Sequence, residues 1–78
     1  MATVHTFDAG MMGCAEGLNQ EFKRQLEAIP VGEILEVIAR DPVAKDDLPA
    51  FARLLGNRVE SVEMEPDASI HILIERME

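Results

Sequence analysis

LNQEFKRQLEAIPVGEILEVIA, residues 18–39, carries two periodicities in succession. Leu18, Phe22, Leu26 and Ile29 stand at i, i+4, i+8 and i+11, which puts them on one face of a helix. Asn19, Gln20, Lys23 and Arg24 take the outer face, and Pro30 and Gly32 stop the helix. Glu33 to Ala39 (EILEVIA) is then apolar on both faces apart from Glu36. That is the pattern of a central strand covered on at least one side. With a strand before it, such a unit calls for a parallel pair and a right-handed crossover.

Upstream, Ala2 to Phe7 (ATVHTF) is β-branched and aromatic, as a first strand requires, and Asp8 and Gly10 are expected to break it. Downstream, Asp41-Pro42 ends the central strand. A second helix is signalled by Leu48, Phe51, Ala52 and Leu55 at i, i+3, i+4 and i+7. Asp46 or Asp47 is its candidate N-cap, with Pro49 in the first turn; a start one turn earlier, near Ala44, fits as well. Gly56-Asn57 supplies the stop. Arg58 to Glu65 reads as a strand in which Val59 and Val62 break alternation, which suggests a bulge. Pro66-Asp67-Ala68 is a turn, and Ser69 to Glu75 alternates cleanly. The order is β-α-β-α-β-β. The expected fold is an α/β (α+β) two-layer sandwich, with two helices on one face of a four-stranded sheet, as a single domain over residues 1–78.

The 78 residues are 47% hydrophobic, enough for a small core but with no Trp or Tyr, so Ile, Leu, Val and five Met must fill it. The formal net charge is −8, from 15 acidic and 7 basic residues, which disfavours direct nucleic-acid binding and an anionic membrane surface. It favours solubility and steering toward basic protein patches. No stretch approaches the roughly 20 apolar residues of a membrane span. No basic segment followed by an apolar run marks a signal peptide, so a cytoplasmic location is expected.

Cys14 is the only cysteine, which excludes an internal disulfide and suits a reducing compartment. It falls between the first strand and the first helix, at or beside the expected N-cap, where free N–H groups and the helix dipole favour a thiolate. Gly13 and Gly17 remove bulk on either side, while Glu16 opposes thiolate formation. Two readings stay open on spacing alone: an activated, accessible thiol, or a small buried hydrophobe. His5 and His71 fall in mid-strand, neither evidently at the Cys14 end of the sheet, and read as surface strand histidines. With Cys14 they show no metal-ligand spacing. The acids Asp46-Asp47 and Glu60, Glu63 and Glu65 read as a cap and solvated faces, and Met11-Met12 as packing or a soft contact patch.

Taken together, these landmarks resemble the TusA/SirA-like family of sulfur carriers over nearly the whole chain. Asp8 stands six residues before Cys14; Gly32-Glu33, ILEVIAR, Asp41-Pro42, Asp47-Leu48-Pro49, Phe51-Ala52-Arg53 and Gly56-Asn57 follow in the family's order. The resemblance implies a mixed sheet of strand order 1-2-4-3 with the last strand antiparallel. It also implies that Cys14 accepts sulfane sulfur as a persulfide and passes it between donor and acceptor proteins, with no metal or organic cofactor. A persulfide is anionic near neutral pH and suits a helix N-terminus. Asp8, Gly13, Ala15, Glu16 and Gly17 would form the supporting loop and helix start. The family motif Cys-Pro-x-Pro is here Cys14-Ala15-Glu16-Gly17, without either proline, and Gly10-Met11-Met12 replaces the usual Arg-Gly-Leu. Gly17 inside a helix would cost about 1 kcal/mol relative to Ala. The loss of both prolines leaves a second possibility, a binding or regulatory module on the same scaffold that carries no sulfur.

Overall fold

A computed structural model describes residues 3–13 and 17–78. The alternation of β2 (Ile34–Ala39) buries Leu35, Val37 and Ala39 and leaves Ile34, Glu36 and Ile38 half-buried. The strand is therefore covered on one face only. β1 (Val4–Gly10) lies parallel to it, and β4 (Ile70–Glu75) lies antiparallel on its other side. β3 (Arg58–Met64) pairs antiparallel with β4, so the sheet order is β1-β2-β4-β3, as the family resemblance implied.

The helices α1 (Leu18–Glu27) and α2 (Ala44–Leu54) complete the β-α-β-α-β-β order. Leu18, Phe22 and Leu26 of α1, with Ile29 just beyond it, meet Leu35, Val37, Ile70, Ile72 and Ile74 of the sheet in one core. Ala44, Leu48 and Ala52 of α2 complete that core. The rings of Phe22 and Phe51 meet edge to face at 6.2 Å and 64°, joining the helices to each other. Arg76 ties the end of α1 to the end of β4: its Nη1 donates to the carbonyl oxygens of Glu27 and Ile29, at 3.0 and 2.5 Å.

Four local expectations are corrected. Asp8 and Gly10 do not end β1; the strand runs to Gly10, with a register shift between Asp8 and Gly10 where Ala9 turns into the core. Neither Asp46 nor Asp47 caps α2. Its leading turn is held by Asp41, whose carboxylate accepts the Val43 N–H and whose carbonyl accepts the Ala44 N–H, both at 3.0 Å. The helix thus starts a turn earlier than those acids, and Pro49 lies inside it, where it forgoes one backbone bond and buries its ring. Leu55 stands at the C-cap and is 38% exposed instead of extending the buried stripe. After it, Gly56 (φ 86°) lets its own N–H reach the Arg53 carbonyl and the Asn57 N–H reach the Ala52 carbonyl, which closes the helix as expected.

The bulge in β3 is present between Val59 and Ser61. Val59 and Val62 are three residues apart, and one extra residue is what allows both to sit opposite Ile74 and Ile72, on the helix side of the sheet.

Candidate functional site

β1, β2 and β3 all run in the same sense, since β4 opposes both of its neighbours. Their carboxyl ends therefore share one edge of the sheet, from which the β1–α1, β2–α2 and β3–β4 connections leave. In open α/β sheets that edge is where sites are built. Cys14, Ala15 and Glu16 fall in the β1–α1 connection and lie outside the described residues, as does the expectation of an N-cap at or beside Cys14.

Both flanks of that segment are described. Asp8 accepts the Gly10 N–H at 2.8 Å and the Arg40 guanidinium at 3.0 Å on the same carboxylate oxygen. The Gly10 N–H, and then Arg40, hold the Asp8 carboxyl below the usual carboxylate range. This pins the exit of β1 to the end of β2. Gly10 itself is at φ 58°, and the Met12 N–H bonds the Ala9 carbonyl at 3.0 Å. Met11 is 81% exposed, whereas Met12 packs against the core.

On the far side the N-cap of α1 is Gly17, at φ 91° and ψ 22°. The cost expected for Gly17 inside a helix does not arise, because the residue precedes the helix in a left-handed conformation that glycine adopts without strain. The Leu18 N–H donates to the Gly13 carbonyl at 3.1 Å, which clasps the two flanks together. A groove of about 450 Å³, lined by Met12, Gly17, Gln20, Glu21 and Arg24, borders the connection. Arg24 is paired with Glu21 at 2.9 Å; the bonds from Arg24 and then Gln25 lower the Glu21 pKa.

The register also relocates a histidine. Asp8, Ile38, His71 and Glu63 form one row across the open face of the sheet, so His71 stands at the same edge as the β1 exit. Its Nδ1 is 3.0 Å from Glu36 Oε2 and its Nε2 is 3.1 Å from Ser69 Oγ, so both ring nitrogens are engaged. The bond with Glu36 raises the His71 pKa above its ordinary 6.5; burial opposes this, and the charges of Glu36, Glu65 and Asp67 add to it. His5 is at the other end of β1, beside Glu33 at 2.5 Å. Sequence spacing did not bring Arg40, Ser69 and His71 together because their association depends on strand register; only the Pro66-Asp67-Ala68 turn was signalled locally.

Among the described residues no group of three His, Cys, Asp or Glu side chains could hold a metal ion. No helix among them is long and apolar enough to cross a membrane.

Comparison with known proteins agrees with this architecture. The family model described as sulfurtransferase TusA matches residues 20–76, beginning six residues after Cys14. The sulfur carrier protein TusA of Allochromatium vinosum is 37% identical over 54 residues, which cover 69% of this chain and 70% of the relative. A protein of Archaeoglobus fulgidus assigned to the sulfur carriers is 31% identical over 52 residues, covering 67% and 68%. With the strand order, both helices and most of the chain in agreement, the protein belongs to the TusA family of sulfur carriers.

Proposed function

We propose that the protein relays sulfane sulfur between cytoplasmic proteins as a persulfide on Cys14. The observation that carries this reading is positional. The single cysteine of a TusA-family chain falls in the β1–α1 connection, at the edge where the parallel strands end. The Cys14 thiolate attacks the outer sulfur of a donor persulfide. A Cys14–sulfur bond forms, the donor's sulfur–sulfur bond breaks, and the donor leaves as a thiolate. An acceptor thiolate then attacks the carried sulfur and Cys14 is the leaving group. No electrons are gained or lost overall, so no metal or organic cofactor is called for. The N-terminus of α1 faces the connection with its positive dipole end, which favours the thiolate and the persulfide anion alike. The groove beside Met12 and Gly17 gives a partner's reactive segment room to approach.

A second reading, a binding module that carries no sulfur, draws on Gly17, whose φ of 91° excludes the family's second proline. Intact-mass measurement separates the two. After incubation with a persulfide donor, a relay gains one sulfur atom, loses it to reductant, and gains none as Cys14→Ser. A folded chain that stays unmodified with several donors sinks the relay and leaves the binding module.

A further inference from the structure

Four polar side chains are strung across the open face: Glu36 of β2, His71 of β4, and Ser69 and Asp67 of the β3–β4 turn. Glu36 Oε2 lies 3.0 Å from His71 Nδ1, His71 Nε2 lies 3.1 Å from Ser69 Oγ, and Ser69 Oγ lies 2.6 Å from Asp67 Oδ1. Ser69 is 1% exposed, so water does not compete for its hydroxyl. The proton positions follow from valence. A hydroxyl carries one hydrogen, and at 2.6 Å from a carboxylate Ser69 gives it to Asp67. Its oxygen must then accept from His71 Nε2. Glu36 offers only a carboxylate oxygen to Nδ1, so that nitrogen must donate too. A ring that donates from both nitrogens is an imidazolium.

We propose that protonated His71 is a proton-operated clasp that fastens the β3–β4 turn to the open face of the sheet. Removal of one proton makes the string impossible to satisfy. If Nδ1 keeps its hydrogen, Ser69 can bond Nε2 only by turning its hydroxyl away from Asp67, which also accepts the Ser69 N–H at 2.9 Å and shapes the turn. If Nε2 keeps its hydrogen, a ring lone pair faces the Glu36 carboxylate. The surroundings favour the cation. Asp8 of β1, Glu36 of β2, Glu63 of β3, and Glu65 and Asp67 of the turn face or approach the ring. Arg40 is a cation near this set, and it is paired with Asp8. The helices lie on the opposite face. The raised His71 pKa agrees with this arrangement. The inference stands whether or not Cys14 carries sulfur.

The test is ring-nitrogen NMR on the ¹⁵N-labelled full chain, with His5→Gln used to assign His71, followed by amide exchange across pH. Below its midpoint, His71 is expected to show both nitrogens protonated. The midpoint should lie above that of an ordinary histidine and fall in Ser69→Ala and in Glu36→Gln. By linkage, the opening constant of the turn rises about tenfold on deprotonation for each pKa unit separating the closed from the open turn. Exchange at Ala68 and Ser69, corrected for base catalysis, should accelerate by that factor in the native chain and stay flat in His71→Gln. A neutral His71 below pH 6.5, or turn protection indifferent to its charge, overturns the proposal.

Discussion

Gly17 and Ala68 occupy the same unusual backbone region for opposite reasons. Gly17 is at φ 91° with nothing within 4 Å of where a Cβ would project, so a side chain there would be opposed only by the backbone. Gly17→Ala should cost about 1–2 kcal/mol in urea unfolding, and Gly17→Pro more, because the ring demands φ near −65°. Restoring that family proline is thus expected to harm this scaffold. Ala68, at φ 69°, already bears such strain, and Ala68→Gly should gain up to about 1 kcal/mol. His71 sets a pH dependence. Its folded pKa is raised above the unfolded value of 6.5, so its contribution is complete below 6.5 and is lost as pH rises through the folded pKa. The urea midpoint of the native chain should fall over that window, and that of His71→Gln should not show this step.

At the scale of elements, α1 shows what a sequence reveals and what it conceals. Its buried stripe and the apolar face of β4 were readable because helix and strand periods act locally. The strand order and the second half of β1 were not. Order depends on pairing across the chain, and the bulge at Ala9 is stabilised by the core it enters. The thiol segment was legible only as a position; its neighbours Asp8 and Arg40 meet through a contact 32 residues apart. The C-terminal end of α1 is likewise stabilised from afar, since Arg76 bonds the carbonyls of Glu27 and, just beyond the helix, Ile29 across 49 and 47 residues. Arg76→Ala should therefore lower stability by about 1.5–3 kcal/mol, the range for charged hydrogen bonds, and speed amide exchange in the last turn of α1. Arg76→Lys should recover only part, because a single ammonium cannot also replace the Nε–H that Arg76 donates to the Glu78 carbonyl at 3.3 Å.

Across the whole molecule, charge repels charge: a formal −8 is spread over 78 residues, and the carboxyl-end edge carries Asp8, Asp41, Asp46, Glu65 and Asp67 against Arg40 and Lys45. Raising salt from low to physiological ionic strength should raise the melting temperature as that repulsion is screened. A melting temperature that falls over the same range would show that attractive pairs such as Arg40–Asp8 outweigh the excess. The clasp between Gly13 and Leu18 has a wider consequence. The backbone is stitched across residues 14–17, so the scaffold's register does not run through them. Residues 14–16 can then diverge while the sheet and helices stay fixed, whereas Gly17, held at φ 91°, is bound to the scaffold. Exchanging residues 14–16 for Ser-Gly-Gly should then change the unfolding free energy by no more than about 0.5 kcal/mol and alter only the chemistry.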